Sequence, residues 1–305
     1  MNNSSKKIEN EFWFIPVDII MILCTGFVVI VSFGFLLITI LDKTNRTISM
    51  ILLWNSLISE MIFACVMCSM AIFTLQNDLK QIEYKDCLCV FRGYWSYSIS
   101  AVRSHSYLLQ SIYRYMIIIY PTNSCFQSKR FQFCLIIITW LISLIHPIPF
   151  LLTNQIEYNA ANQVCHMSFD KSSSYIFYTC FIAYLNPISI IGIIYYKLVQ
   201  YVRRMNKLVT PVNQYLRIQR ELIMVRRIVM LLVVLITLGL PYTIFFFMSL
   251  FTTPPMYYFR WAFLSVDISL VCIIMALLQF SDSIQIFLNE MIPKWRSTLR
   301  EIYRL

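Results

Sequence analysis

The chain has 305 residues, of which 59% are hydrophobic and only 13% are charged. A soluble domain carries roughly 25% charged residues, so this composition excludes an ordinary soluble protein and predicts a polytopic membrane protein. The net charge of +10 could also indicate nucleic-acid binding, but cationic residues gathered on one face of a membrane explain it better. We therefore expect no nucleic-acid partner.

Long apolar blocks separated by short polar stretches predict an all-α membrane fold, a seven-transmembrane helix bundle. Residues 1–18 are predicted to form an extracellular N-terminus, residues 19–288 the bundle, and residues 289–305 a cytoplasmic tail with a short amphipathic helix. Of the 25 Lys and Arg residues, 17 fall on one face, which is therefore predicted to be cytoplasmic. The predicted spans, one to seven, are about Ile19–Leu41, Ile48–Leu75, Cys89–Ile119, Phe131–Thr153, Ser174–Leu198, Ile228–Phe251 and Trp261–Leu288.

The polar N-terminus is not followed by a small-residue cleavage site, so the first span is predicted to act as its own insertion signal. Asn2 and Asn3 each begin an Asn-x-Ser motif and are predicted glycosylation acceptors on the outer face. The basic inner segment Val199–Arg227 is predicted to face membrane lipid with anionic head groups and an acidic or amphipathic partner.

Single residues at fixed spacings indicate which kind of helix bundle this is. Arg114 lies near the inner end of span three in Ser111–Pro121, which reads Ser-Ile-Tyr-Arg-Tyr-Met-Ile-Ile-Ile-Tyr-Pro. With the other motif positions, this stretch resembles a rhodopsin-like (class A) G-protein-coupled receptor, in a divergent, chemoreceptor-like form, over the whole chain. Those positions are Cys89, 25 residues before Arg114, Trp140 in span four, Cys165 in the second outer loop, Pro187 with Tyr195 eight residues later, and Pro241 with Glu221 twenty residues before it.

The resemblance implies a receptor in the plasma membrane that transduces an extracellular small-molecule or peptide ligand to a heterotrimeric G protein. It implies that Arg114 pairs with Glu221 at rest, and that breaking this pair lets span six swing outward and open a cleft for the G protein. Tyr113 stands where the family has Asp, so we expect raised basal activity. Tyr115 and Tyr195 complete the predicted switch.

The resemblance also implies a disulfide between Cys89 and Cys165 that pins the second outer loop over the mouth of the bundle, with Cys87 as a rival for the same partner. Other positions depart from the family. Phe35 replaces the helix-one Asn, and Gly239 replaces the helix-six Trp. The seventh-helix motif fits two registers, in which its Asn, Pro and Tyr are replaced by Gln285, Ile286 and Asn289, or by Asp282, Ser283 and Ile286.

Two opposite charges lie at bilayer depth, Glu60 in span two and Arg103 in span three. A lone charge there costs at least about 2.5–3.5 kcal/mol, so we predict that the two side chains pair. By the family's layout, the Arg103 guanidinium would stand where many members bind sodium. Asp282 or Gln285 of span seven would join this intramembrane polar pocket.

The sequence indicates the residues of the ligand pocket less precisely than those of the predicted switch. Asp267 offers a charge near the outer end of span seven, but span three has no Asp for an amine ligand, and Trp261–Pro293 has no Lys for a retinal Schiff base. Counted from the motifs, the predicted wall includes Ser96, Tyr97, Ser100, Thr179, Tyr242, Phe246, Met275 and Gln279.

No enzyme activity, cofactor or metal is predicted, because the sequence has no Gly-rich phosphate loop and its three histidines, His105, His146 and His166, lack metal-site spacing. Two other functions stay open. Glu60 and Arg103 could line the path of a small transporter or channel, although no internal repeat supports it. The lost helix-six Trp and helix-seven Pro could also indicate a receptor-like scaffold that does not signal.

Overall fold

A computed structural model describes residues 14–41, 47–80, 86–120, 126–159, 162–167, 169–205, 233, 236, 239–245, 247–249, 251–252, 255 and 257–280. The side chain of Gln279 is not among the described parts of the chain. The following predicted positions also lie outside the described residues: Asn2, Asn3, Glu221, Phe246, Asp282, Ser283, Gln285, Ile286 and Asn289.

Helices account for nearly all of the described chain, as the long apolar blocks predict. Helical residues 239–245 and 247–249 belong to the sixth span and are called the sixth-span helix. The others are α1 (Phe14–Leu41), α2 (Ile48–Lys80), α3 (Cys89–Ile119), α4 (Lys129–Ile145), α5 (Ile148–Leu152), α6 (Phe169–Cys180), α7 (Asn186–Met205) and α8 (Tyr258–Phe280).

The outer surface of these helices is apolar. Five of the described helical segments are long and apolar enough to cross a membrane, and large side chains such as Leu23, Ile30 and Phe177 stay exposed on them. In water such a surface would be unstable, but in a bilayer it faces lipid tails at no cost. The described part of the chain therefore buries polar residues such as Arg103 and Asp267 within its core and still presents a large apolar surface outward.

α3 is the central helix and carries the polar interior. It contacts α2, α4, α7 and both strands of the outer loop, and it buries Arg103, Gln110 and several serines. The hydroxyls of Ser106 and Ser111 donate to the carbonyls of Val102 and Tyr107, at 2.7 and 3.0 Å. Such back-bonding satisfies a hydroxyl where no water is present.

Near prolines, spans four and five depart from regular α-helix, although each remains one membrane-crossing segment. Pro147 separates α4 from α5. In span five a π-helical turn, Phe181–Leu185, joins α6 to α7 directly before Asn186 and Pro187. Proline lacks an N–H donor and crowds the carbonyl four residues earlier, and a wider π turn absorbs that mismatch without breaking the span.

The second outer loop forms a β-hairpin that the sequence analysis does not predict. β1 (Ile156–Asn159) pairs antiparallel with β2 (Val164–Met167). A disulfide joins Cys165 of β2 to Cys89 of α3, with Cα atoms 5.4 Å apart, whereas Cys87 is a free, exposed thiol. A Cβ on Gly93 would lie 2.8 Å from the Cys165 carbonyl oxygen, so only glycine allows the hairpin to pack this closely on α3.

Three spans are longer at their outer ends than the sequence indicates. α1 begins at Phe14, not at Ile19, α2 continues beyond Leu75, and α8 begins at Tyr258, not at Trp261. Hydropathy ends a span where charges begin, but here the charges themselves are buried between helices. The extra turns bring Asp18, Asp78 and Arg260 inside the bundle.

Candidate ligand pocket and signalling sites

A cavity lies between α3, span five, the sixth-span helix and α8, beneath the hairpin. It encloses about 900 Å³, including the part that opens to solvent. Its described lining is mostly aromatic and aliphatic, with Ser and Thr hydroxyls and one ionised side chain, that of Arg103. This composition suits a small, mostly apolar molecule that is oriented by a few polar groups.

Five of the predicted wall residues line this cavity, but Met275 does not. Met275 is 42% exposed, whereas Ile274 and Leu277 of the same helix are buried. Because successive residues of an α-helix are rotated by about 100°, Met275 points away from the bundle, and its assignment to the wall is wrong. The predicted residues that line the cavity are Ser96, Tyr97, Ser100, Thr179 and Tyr242.

The sequence analysis misses several lining residues, among them His166, Tyr184 and Gly239. His166 lies on a loop strand, and no sequence pattern fixes where such a strand folds. Gly239 and Tyr184 are linked, because a Cβ at Gly239 would lie 2.8 Å from the Tyr184 hydroxyl. The Tyr184 side chain thus lies beside position 239, where the resembled family carries Trp. The replacement of that Trp by Gly239 is the sequence feature from which this contact could have been predicted.

Arg103 forms the floor of the cavity. Its Nη1 lies 3.7 Å from Oε2 of Glu60, and its guanidinium stacks 4.5 Å from the Phe63 ring centroid. The Tyr107 hydroxyl donates to Oε1 of Glu60 at 2.7 Å. The structure therefore brings the two predicted opposite charges together, in loose contact, at the depth where each alone would be costly.

His166 closes the cavity from above. Its ring lies 4.1 Å from the Phe259 ring and 4.9 Å from the Tyr97 ring, centroid to centroid, and the Tyr97 hydroxyl lies 2.7 Å from Nε2. Burial among these rings lowers the pKa of His166 to about 3, so the imidazole is neutral at physiological pH. The hairpin thus contributes an uncharged, aromatic lid.

Asp267 is fully buried in α8 but is not part of the described cavity lining. Neither of its carboxylate oxygens has a hydrogen-bond partner among the described residues, and the Arg103 charge acts on it across the bundle. The predicted acid of span seven therefore lies outside the described cavity wall, and its carboxyl has no hydrogen-bond partner there that would stabilise the charged form.

At the inner end of α3, the predicted switch residues fall into two clusters. Tyr113 is buried with Ile48, Leu52 and Leu109, between α2 and α3. Tyr115 and Tyr195 pack into a second cluster, which joins α3 to α7. Arg114 lies half-buried between these faces. The predicted partner of Arg114, Glu221, lies outside the described residues.

Trp140, one of the positions that carry the family resemblance, is held by hydrogen bonds that join three helices. The Trp140 indole donates to Oδ1 of Asn55 at 2.8 Å, and Nδ2 of Asn55 donates to Ser106 at 2.8 Å. α2, α3 and α4 are thus joined at mid-membrane, where buried polar groups need partners. Pro187 is buried at the start of α7, and Pro241 is half-buried in the sixth-span helix.

A second buried ion cluster lies at the outer ends of α1, α2 and α8 and is here called the outer ion cluster (Asp18, Asp78 and Arg260). Nη2 of Arg260 donates to Oδ1 of Asp78 at 2.9 Å, and Nη1 donates to Oδ2. Nη1 also reaches Oδ2 of Asp18 at 3.5 Å. The sequence analysis assigned all three residues to polar segments outside the spans, so it misses this cluster.

Comparison with known proteins agrees with this geometry. Residues 32–281 match the family model described as 7 transmembrane receptor (rhodopsin family). Among solved structures, squid rhodopsin is similar with a TM-score of 0.76 and 16% identity, over 93% of this chain and 86% of that one. At that identity the likeness concerns the fold alone. No functionally curated protein matches the sequence.

The family match and the fold define a multi-pass membrane receptor of the seven-transmembrane class, not an enzyme, in which a disulfide ties the hairpin to α3. The family match covers most of the chain, so this protein belongs to the rhodopsin family of seven-transmembrane receptors.

Proposed function

We propose that this protein is a plasma-membrane receptor that couples a ligand in the cavity beneath the hairpin to a heterotrimeric G protein at the inner face. The observation that carries the proposal is that one rigid helix, α3, supplies both ends of the path. Arg103 forms the cavity floor, and Arg114 lies 11 residues, or about 16 Å, further along the same helix. A ligand that moves α3 or its neighbours therefore acts directly on the predicted switch.

The decisive test is basal nucleotide exchange on a panel of G proteins, in membranes that carry equal surface amounts of each variant. Arg114→Ala is expected to change exchange relative to wild type. Arg92→Ala is the matched control, because Arg92 lies on the same helix but bonds to Asp86 at the outer end, at 2.7 Å. Exchange that never exceeds that of empty membranes, with or without Arg114, would favour the scaffold, and ion flux would favour the transporter.

The replacement of the family's Asp by Tyr113 is a second part of this proposal. Without that acid, Arg114 lacks one restraint in the resting state, so basal exchange is expected to exceed that of Tyr113→Asp. Tyr113 packs in an apolar cluster, so an Asp there also destabilises the fold, and exchange must be divided by the surface amount of receptor. Equal normalised exchange would contradict this part.

We also propose that Arg103 acts as a built-in cation beside Glu60, in the place where many members of the family bind sodium. The 3.7 Å contact between the two side chains supports it. Sodium titration of exchange is the test. Wild type is expected to be insensitive, whereas Arg103→Gln leaves Glu60 without its cation and is expected to gain sodium sensitivity. Sodium sensitivity of wild type would contradict the proposal.

For topology, we propose that the N-terminus is extracellular and carries sugar on Asn2 and Asn3. Enzymatic deglycosylation is expected to increase the gel mobility of wild type but not of the Asn2→Gln/Asn3→Gln variant. An unchanged wild-type mobility would remove this support for the outside orientation.

A further inference from the structure

Arg103 holds hydrogen-bond donors that the folded chain does not use. Its side chain is 7% exposed, yet Nε and Nη1 have no hydrogen-bond acceptor among the described residues. The nearest carboxylate oxygen, Oε2 of Glu60, stands at 3.7 Å, beyond hydrogen-bond distance. Unsatisfied guanidinium donors are costly in a membrane interior, so the site is prepared for an acceptor that comes from outside the chain.

These donors belong to a side chain that lines the cavity, although neither nitrogen is itself exposed to it. The Thr179 hydroxyl on the same lining is buried and also has no partner among the described residues. The wall around them is built largely of Phe63, Tyr184 and Phe263. A ligand that satisfies Arg103 must therefore place one polar head at the floor and an apolar body against aromatic rings.

Charge balance selects the kind of head group. Glu60 already places one carboxylate beside Arg103, at 3.7 Å. A carboxylate ligand would add a further negative charge to this group, at bilayer depth. An amine ligand would find no acid among the described lining residues and would meet the Arg103 cation. A neutral acceptor carries neither penalty.

We propose that the cavity binds an uncharged, mostly apolar small molecule through a carbonyl oxygen that accepts hydrogen bonds from Arg103. This inference deepens the proposed receptor function by naming the ligand class. The Arg103 side chain would turn toward the cavity so that Nε or Nη1 donates to the carbonyl, while the body of the molecule would lie between span five and α8 under the lid of His166.

The test measures binding directly, on purified receptor in lipid nanodiscs and without G protein. The probes are four sets of matched compounds with six to twelve heavy atoms: methyl ketones, the corresponding carboxylates, primary amines and alkanes. Saturation-transfer NMR measures binding above that to empty nanodiscs, and infrared spectra of ¹³C-labelled carbonyls measure the hydrogen bond. Ketones are expected to bind best, with a carbonyl stretch at lower frequency than in empty nanodiscs.

Two variants separate the anchor from the fold. Glu60→Gln/Arg103→Gln removes both charges without stranding either, and it is expected to weaken ketone binding by about 10- to 100-fold, the usual range for a charge-assisted hydrogen bond. Arg92→Gln is the matched control on α3 and is expected to bind as wild type does. Glu60→Gln alone frees the Arg103 charge and is expected to shift the preference toward carboxylates.

The outcomes are distinct. Folded wild-type receptor that binds no ketone, prefers amines or carboxylates, or binds ketones equally well after the double substitution would overturn the ligand class. Ketone binding that never alters nucleotide exchange would leave the ligand class standing and count against the proposed signalling function. Exchange without any ketone binding would do the reverse.

Discussion

Among its described residues, the bundle buries two arginines, Arg103 and Arg260, which differ in how the cation is held. In the outer ion cluster, Arg260 forms two hydrogen bonds with Asp78, reaches Asp18 and stacks 4.6 Å from the Phe14 ring. In the cavity floor, Arg103 stacks at a similar distance on Phe63, but its one carboxylate neighbour stands 3.7 Å away. The guanidinium is thus hydrogen-bonded to its carboxylate in one place and not in the other, although Nε of Arg260 also has no acceptor among the described residues.

The difference in contacts gives the two arginines different roles: Arg260 stabilises the fold, and Arg103 responds to a bound molecule. A bidentate guanidinium–carboxylate contact fixes geometry as well as charge, and the outer ion cluster joins α1, α2 and α8 by it. A loosely held guanidinium keeps donors for another molecule. We therefore expect the outer ion cluster to act on stability and Arg103 to act on binding, and the following predictions test that division.

The largest effect is expected from Arg260→Gln. This change leaves two buried carboxyls without their cation, and removing one partner of a buried ion pair typically costs about 3–5 kcal/mol. The melting temperature of the receptor in nanodiscs should fall sharply, with less receptor at the cell surface. Arg92→Gln, at a partly exposed ion pair, should cost less than about 1 kcal/mol. Equal melting temperatures for the two variants would remove the structural role of the outer ion cluster.

A smaller and more specific contrast is expected from double-mutant cycles. The coupling free energy of Arg260 with Asp78 should approach about 3 kcal/mol, whereas that of Arg103 with Glu60 should be closer to about 1 kcal/mol. The reason is that the first pair is hydrogen-bonded and the second is not. Chemical unfolding of single and double Gln and Asn variants measures both values, and a larger coupling at Arg103 would invert the comparison.

The packing of the hairpin on α3 is tested by a third comparison, between substitutions at two glycines. Gly93→Ala places a methyl group 2.8 Å from the Cys165 carbonyl oxygen and from Ile156, so the hairpin must shift. Overpacking of this kind costs about 1–3 kcal/mol. Gly192→Ala is the control, because nothing lies within 4 Å of its Cβ position. That control should be neutral or slightly stabilising in a helix, and a similar loss at both positions would contradict close packing of the hairpin.

The smallest effect is expected from mild acid, between pH 7.5 and 5.5, and amounts to about 1.4 kcal/mol. The pKa of His166 is lowered to about 3 in the folded receptor, against about 6.5 in the unfolded chain, so below pH 6.5 the unfolded state binds the extra proton. Stability should therefore fall as pH drops from about 6.5 toward 3, by about 1.4 kcal/mol per pH unit once below 6. Unfolding free energies at pH 7.5 and 5.5 measure it. His166→Phe, which keeps a ring in the aromatic cage, should reduce this pH dependence, and an undiminished slope would assign it to other groups.

The sequence alone was enough to predict the contacts of residues whose burial without a partner is costly. Glu60 and Arg103 are too costly apart at bilayer depth, so their contact follows from charge alone. The family resemblance implied the Cys89–Cys165 bridge and left Cys87 as a rival, and the structure has the bridge at Cys89. The sequence analysis missed the outer ion cluster because hydropathy treats Asp18 and Arg260 as the ends of spans, although burial in a shared cluster lets helices continue past them. Met275 was misplaced because counting residues from degenerate motifs does not fix the rotation of α8 about its own axis. The hairpin depends on packing against α3, which no local pattern shows.

The π-helical turn Phe181–Leu185 has a consequence for how relatives should be aligned. A π turn contains one residue more than an α-helical turn of the same rise, so residues on its two sides differ in angular phase by one position. Cavity-lining Thr179 lies before the turn, and Tyr195, at the inner cluster, lies after it. An alignment with uniform α-helical spacing will therefore match only one of these two residues to its true counterpart in a relative that lacks the turn, and a one-residue gap placed at 181–185 restores both.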